Sequence, residues 1–465
     1  MTNTSADIHI VILAAGQGTR MRSALPKVLH RISGLALIDH VRRTAQSVSP
    51  STVTVVVGHK AETVRSHLQG DSGIQFALQE PQLGTAHALQ QVEPILAGRT
   101  GTLVLLSGDV PLLTASTLRR LVETHRGANA TATVVTATVE RPYGYGRIVR
   151  ADGRIVRIVE ERDASPAERQ IREINGGIYA FDLAPLFEAL RSIASQNAQG
   201  EFYLTDLVAI YRRRKLAVET LLVENSQEIR GINSRTELAE VSTMLRQQKN
   251  EELMAAGVTL VDPATTYIDP DVEIGPDTII HPGVVIEGAT RIGAACEIQA
   301  HVRISNSTLG DRVTINNFCL IVGATVADEA SIGPFAHLRP QSVLAERAKV
   351  GNFVELKQTT LGPGSKANHL SYLGNATIGA NVNIGAGTIT CNYDGSRKHQ
   401  TIIEDGAFIG SDSQIVAPIT VGRGAYVGTG TTVREDVPPG ALGVSAGKQR
   451  NIEGWVDRKK TAAKT

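Results

Sequence analysis

An excess of charge of one sign is what this 465-residue chain lacks: 47 lysines and arginines stand against 46 aspartates and glutamates, a formal net charge of +1. No long-range field is left to recruit nucleic acid or an anionic membrane, so any anion site has to be local. Cysteine is scarce too. Cys296, Cys319 and Cys391 are odd in number and have no CxxC spacing, which argues against a disulfide framework or a zinc site and fits a reducing cytoplasm. Long apolar runs are missing: Ile8–Ile12 is too short to cross a bilayer and follows no basic leader, and no later stretch approaches ~18 unbroken apolar residues. The expectation is a soluble, unexported, cytoplasmic protein without a membrane span or a nucleic-acid partner.

What the chain does have is length and two grammars. At 42% hydrophobic and about three times the size of a typical domain, it can bury more than one core. Over residues 1–233, β-rich runs such as Thr52–Gly58, Thr102–Leu106 and Thr131–Thr138 alternate with helix-like segments such as Leu37–Ala45 and Leu118–His125. That predicts a Rossmann-like α/β domain with a mostly parallel sheet. Ser234-Arg235-Thr236-Glu237 reads as a capping box, with Leu238, Val241 and Leu245 at helical spacing and a stop at Gly257. Residues 234–256 are thus expected to form a long linker helix of roughly 30 Å.

From 257 to 465 the period becomes six. Ile268, Ile274, Ile280, Ile286, Ile292, Ile298 and Ile304 open the series, which slips and then resumes from Ile403 to Val433. Neither 3.6 nor 2 gives that beat; hexapeptide repeats with glycine at the corners predict a stacked parallel β-helix. Strands of a sandwich would lose phase over so many units. The beat slips and polar residues crowd in at Lys366–Leu373 and Thr390–Gln400, where insertions facing a ligand are expected.

The first strand runs into LAAGQGTRMRSALPK. Leu13, Ala14, Ala15, Gly16 and Gly18 can bring bare backbone N–H groups to phosphate oxygens, with Arg20 and Lys27 as counter-charges. The spacing is neither GxxxxGK[ST] nor GxGxxG, since Met21 stands where a Rossmann glycine would. It resembles instead the signature of sugar-nucleotide pyrophosphorylases. Ser107, Gly108 and Asp109 close the strand-like stretch LVLLSGDVP, where a carboxylate could hold Mg²⁺; taken alone, without the glycine loop, Asp109 reads rather as a turn or cap residue. Gln79, Gly84 and Thr85 resemble that family's base-reading segment. Gly146 within Gly144-Tyr145-Gly146-Arg147, with Glu160 and Asn175, resembles its sugar-reading set.

The order of these stretches, closed by Asn233 and followed by the repeats, resembles over nearly the whole chain the bifunctional bacterial N-acetylglucosamine-1-phosphate uridylyltransferase/glucosamine-1-phosphate acetyltransferases. That resemblance implies acetyl transfer from acetyl-CoA to glucosamine 1-phosphate in the second half. Uridylyl transfer from UTP to N-acetylglucosamine 1-phosphate follows in the first, giving UDP-N-acetylglucosamine, an envelope precursor. It implies Asp109 and Asn233 as Mg²⁺ ligands, a left-handed β-helix, and a homotrimer. His369, in Asn-His-Leu-Ser-Tyr, matches the family's catalytic base, a role that suits a histidine. Arg339, Lys357, Tyr372 and Asn383 match the glucosamine-phosphate contacts, with Lys398 a further candidate. Ala386, Asn392, Tyr393, Ser411 and Thr429 match the acetyl-CoA set. Two positions depart: Thr429 is larger than the family's residue, and Ala446 replaces a basic CoA contact, for which Lys448 or Arg450 could substitute. Cys319 as an acyl carrier is not needed for direct transfer.

Two rivals stay open on sequence. The β-helix could only oligomerise an N-terminal enzyme, which would not require His369, Lys357, Asn383 and Tyr393 together. The chain could be a non-enzymatic scaffold, which would not require Arg20, Lys27 and Asp109.

Overall fold

The computed structural model describes residues 7–445, 447, 449 and 451–456, so that Ala446, Lys448, Arg450 and the basic 458–465 tail lie outside the described residues. The chain divides into two compact units, Met1–Leu245 and Arg246–Thr465. Among the described residues no helix is long and apolar enough to cross a membrane.

The first unit is built on strands β1 (Ile8–Ala14), β2 (Thr52–Val57), β3 (Ile74–Leu78), β4 (Thr102–Ser107), β5 (Ala132–Thr138), β6 (Arg147–Ala151), β7 (Arg154–Val159), β8 (Glu173–Asp182) and β9 (Val218–Val223). The sheet order is β9-β5-β8-β4-β1-β2-β3, with the β6–β7 hairpin attached to β8. All its central pairings are parallel except those of β8, which runs antiparallel to β4 and β5. Both faces are covered. Ile10, Ile12 and Val104 bury on one side, Val11, Leu103 and Leu105 on the other, and that is why these strands read as unbroken apolar runs. The helix Arg235–Ala255 starts as its sequence signals: Ser234 Oγ accepts from the Glu237 N–H at 3.2 Å, and the Glu237 carboxylate accepts from the Ser234 N–H at 3.0 Å.

The second unit is the left-handed β-helix that hexapeptide repeats build. Among the described residues its short strands stack into three parallel sheets of 11, 10 and 9 strands, one per face. The six-residue beat follows from three faces per coil with one inward aliphatic on each. In one column Ile286, Ile304, Ile321, Leu338, Leu356 and Leu373 lie in register and wholly buried. Each contributes about 1.5–3 kcal/mol of apolar burial. The small polar residue of the repeat also goes inside. Ser365 Oγ donates to the Gly379 carbonyl at 2.7 Å and accepts from the Val382 N–H at 2.8 Å, satisfying the backbone where a coil turns.

The two expected interruptions differ. Lys366–Leu373 stays in the ladder, Lys366–His369 pairing as a strand with Lys349–Asn352, because Ala367 still fills the inward position. Residues 392–400 do leave it, as a small hairpin bridged between Tyr393 and Lys398. Asp394 pins that hairpin by accepting from the N–H groups of Ser396 and Arg397 at 2.8 and 2.7 Å.

Two candidate active sites

In the first unit β1 and β4 run side by side, Leu13 opposite Ser107, and the Gly108 N–H donates to the Leu13 carbonyl at 2.9 Å. The glycine loop and Asp109 therefore share the carboxyl edge of the sheet, where α/β folds bind ligands. Ala14 and Ala15 are buried while Gly16 and Gln17 are exposed. The N–H groups of Gly16, Gln17 and Gly18 make no backbone hydrogen bond among the described residues, so they can serve phosphate oxygens. Gly18 has φ +61°, and a Cβ there would stand 2.7 Å from Lys27 Cβ; a side chain at 18 would push Lys27 out. Instead of running into a long helix, the chain makes two 3₁₀ turns, Thr19–Met21 and Lys27–Leu29, because left-handed Arg22 ends the first and Pro26 sets up the second.

Those turns carry the cations. Arg20 is exposed and forms no ion pair among the described residues. Lys27 Nζ donates to Asp109 Oδ2 and, at 3.1 Å, to Asn233 Oδ1. One carboxylate and one amide oxygen thus converge on a single cationic point. Such hard oxygen donors fit Mg²⁺, which takes few protein ligands and leaves its remaining positions to phosphate and water.

The flanking sets also assemble. Gln79, buried after β3, donates through Nε2 to the Gly84 carbonyl at 2.9 Å. Gly84, at φ +112°, packs so closely on Phe202 that a Cβ would come within 2.6 Å of its carbonyl oxygen. Thr85 Oγ1 accepts from the Leu204 N–H at 3.2 Å. A Cβ on Gly146 would lie 3.5 Å from both Asn175 Cβ and Glu160 Oε1, so the three sugar candidates meet around one bare backbone position. Burial, with Asp163 and Asp206 nearby, pushes the Glu160 carboxyl above its ordinary range; Thr205 Oγ1, donating to it at 3.1 Å, and Arg147 oppose that shift. Ser107 faces the neighbouring Gly177. Arg147 itself turns inward, paired with Glu161 at 2.6 Å, and holds the loop rather than facing a ligand.

In the β-helix, Arg339, Lys357 and Gly374 follow one another on one outward column. Arg339 Nη1 donates to Glu355 Oε1 at 2.8 Å. Lys398 on the hairpin lies so close to Lys357 that its positive charge, with that of Arg339, holds the Lys357 ammonium below its usual pKa. Three gathered cations make a place for a phosphate dianion. Next in that column, Gly374 lets Tyr372 and Asn392 pack against bare backbone: a Cβ there would meet the Tyr372 hydroxyl at 2.5 Å and Asn392 Nδ2 at 2.8 Å. Tyr393 is exposed beside Asn392.

His369 lies exposed at the end of its strand, its Nδ1 2.7 Å from Asn352 Oδ1. An Nδ1–H donated there leaves Nε2 as the acceptor. Ala386, Ser411 and Thr429 occupy equivalent corners of consecutive coils, each following a glycine. Gly385 and Gly410 are required there, since a Cβ would sit 2.5 Å from the Ser411 nitrogen or 2.6 Å from that of Thr429. Asn383 lies on the strand before this column, in register with Lys366 and Phe408, on a different sheet from Lys357 and Tyr372. Cys319 is buried and its thiol is pushed up to about 11, far from a nucleophile's state.

Sequence reading missed Thr205 and Asn352. Asn352 stands 17 residues before His369, one coil of the helix, and that spacing was available as a signal.

The chain matches the MobA-like NTP transferase domain over residues 10–215, the GMPPB C-terminal domain over 263–372 and the bacterial transferase hexapeptide, six repeats, over 400–435. It is 50% identical over 455 residues to the bifunctional protein GlmU of Pelobacter propionicus, covering 98% of this chain and 99% of that one. Its identity to the protein of the same name from Trichlorobacter lovleyi is 49% over 451 residues, covering 97% and 98%. For Streptococcus suis it is 45% over 451 residues, 97% of each. With matches at 45–50% identity that span 97–98% of the chain, and so both units, the chain belongs to the family of bifunctional GlmU proteins.

Proposed function

We infer that the two units catalyse consecutive steps of one synthesis: acetyl transfer from acetyl-CoA to glucosamine 1-phosphate, then uridylyl transfer from UTP to N-acetylglucosamine 1-phosphate with release of pyrophosphate. The observation that carries this reading is the coexistence, in one chain, of the Lys27–Asp109–Asn233 cluster beside a phosphate loop and the His369–Asn352 pair on a β-helix with its own cation column.

In uridylyl transfer the free N–H groups of the glycine loop, Arg20 and Lys27 hold the triphosphate and offset charge as pyrophosphate leaves. Gly146, Glu160 and Asn175 orient the sugar so that its phosphate meets the α-phosphorus. Mg²⁺, which Asp109 and Asn233 would hold, supplies further charge neutralisation on the phosphates when bound.

In acetyl transfer Arg339, Lys357 and Lys398 grip the sugar phosphate. His369 Nε2 takes a proton from the amine as its nitrogen forms a bond to the thioester carbon, and returns that proton to the sulfur as the carbon–sulfur bond breaks, so that CoA leaves as its thiol. Asn352 fixes the ring that does so. The Ala386–Ser411–Thr429 corner receives acetyl-CoA. A homotrimer is the proposed assembly, and the exposed stack of Phe318, Phe335 and Phe353, with ring centroids 5.1 and 5.3 Å apart, supports self-association of the β-helix. The cytoplasm, where UTP and acetyl-CoA are both at hand, is the proposed compartment.

The test is an assay of the purified protein and its His369→Ala variant with glucosamine 1-phosphate, acetyl-CoA, UTP and Mg²⁺, following CoA and pyrophosphate separately. Wild type should release both. The variant should release pyrophosphate only when given N-acetylglucosamine 1-phosphate. A wild type that releases no CoA would reduce the β-helix to a scaffold.

A further inference from the structure

Beside the cation column, four carboxamides form an unbroken chain across four coils. Gln358 Nε2 donates to Gln341 Oε1 at 2.8 Å, Asn375 Nδ2 donates to Gln358 Oε1 at 3.0 Å, and Asn392 Nδ2 donates to Asn375 Oδ1 at 2.6 Å. Gln341, Gln358 and Asn375 share one corner, each with a left-handed φ (65°, 50° and 50°), and their side chains bond from coil to coil. The chain runs from exposed Gln341 and Gln358, through half-buried Asn375, to buried Asn392. Every bond points the same way, nitrogen toward the lower-numbered coil. Aligned amides polarise one another, and turning one alone would set N–H against N–H or oxygen against oxygen. The chain's state is therefore set as a unit. Its direction commits Asn392 Nδ2 to the ladder, while Asn392 Oδ1 accepts no hydrogen bond among the described residues.

We propose that the Gln341–Gln358–Asn375 ladder is a positioning device for acetyl transfer, locking the Asn392 carboxamide so that its oxygen, not its NH₂, is offered to the N–H groups of the bound substrates. The proposal rests on the reading of Asn392 as part of the acetyl-transfer site. Nothing in the ladder besides Asn392 touches substrate; the other three act through it. A lone asparagine in that place would present either end, and half its orientations would set a donor against a donor.

The direction of the ladder can be reversed chemically. Lysine can only donate and aspartate can only accept. In Gln358→Lys, Asn375 must turn its oxygen toward the introduced ammonium, and its NH₂ then turns Asn392 around. In Asn375→Asp, the carboxylate still accepts from Asn392 Nδ2. The test measures kcat and KM for acetyl transfer in Gln358→Lys, Asn375→Asp and the double variant, with uridylyl transfer by the same molecules as a control on concentration and the thermal midpoint of acetyl-transfer loss as a control on folding of the β-helix. Gln358→Lys should lose about tenfold in kcat/KM, mostly in kcat, the loss of one oriented hydrogen bond. The extra positive charge beside Lys357 would by itself favour the sugar phosphate, so it cannot produce that loss. Asn375→Asp should stay within about twofold of wild type, and adding it to Gln358→Lys should restore most of the activity, a coupling that independent sites do not show. Gln358→Lys with undiminished acetyl transfer, or a double variant no better than the single one, overturns the ladder while leaving the acetyltransferase reading intact. Absence of CoA release by the wild type overturns both.

Discussion

The two units bring reactive side chains together by opposite means. In the α/β unit Lys27 reaches partners 82 and 206 residues away, Asp109 and Asn233, because parallel strands from distant parts of the chain end at one edge. In the β-helix the partners are one coil apart, as with Asn352 and His369 or Gln358 and Asn375. A globular sheet gathers a site by long-range crossovers and must fold as a whole to do so. A solenoid gathers it by repetition, each coil resting on its neighbours. Damage in the first unit should therefore remove a site entire, and damage in the second should act through the coils around it.

The largest effect that would sharpen this contrast is at Lys27. Lys27→Ala removes a side chain that touches both Asp109 and Asn233 and takes a positive charge from beside the glycine loop. Uridylyl transfer should fall by about 10³-fold, the scale of removing a preorganised electrostatic contact to a developing charge. Acetyl transfer by the same preparation should change less than about twofold. A parallel fall in both rates would break the comparison, since it would make the two sites energetically one.

Next in size is a core cut in the solenoid. Ile321 is wholly buried in its column between Ile304 and Leu338. Ile321→Ala should cost about 2–5 kcal/mol of that unit's stability. On a temperature ramp, acetyl transfer should be lost well before uridylyl transfer, monitored as two activities of one sample. Simultaneous loss would mean that the units unfold cooperatively.

The same contrast explains what could be read from sequence. The β-helix announced itself through its period because each coil repeats one inward aliphatic and one small polar residue, and the register of Ile286 to Leu373 follows the count. The glycine loop was legible because Gly18 is held by a steric condition, the approach of Lys27. The capping box before the long helix was legible because both its partners are local. Less legible was what depends on side-chain direction in three dimensions. Arg147 sits within a stretch resembling a sugar-reading motif yet is buried against Glu161. Lys366–Leu373 looked like an insertion because its polar residues crowd together, although Ala367 keeps the inward place and the coil continues. The amide ladder escaped notice because its members, spaced by 17, are individually ordinary polar residues and gain meaning only when stacked.

The smallest predicted effect concerns pH in the α/β unit. Glu160 sits with Gly146 and Asn175, and burial with Asp163 and Asp206 raises its pKa against the pull of Thr205 and Arg147. In its proposed role as an acceptor for sugar hydroxyls it works ionised. Because its pKa is raised, protonation begins at a higher pH than for an ordinary glutamate, near 4.3. As pH falls, KM for N-acetylglucosamine 1-phosphate should therefore rise before ordinary carboxylates titrate. Glu160→Gln should have a higher KM at neutral pH, by less than about tenfold, and should flatten that acidic rise, since an amide has no proton to gain. The fold responds in the opposite sense. The raised pKa means that the ionised carboxyl costs stability as pH rises through it, a cost that Gln does not carry. A Gln variant whose KM keeps the wild-type pH dependence would move the titrating group elsewhere, with Asp206, also raised by burial, the next to change.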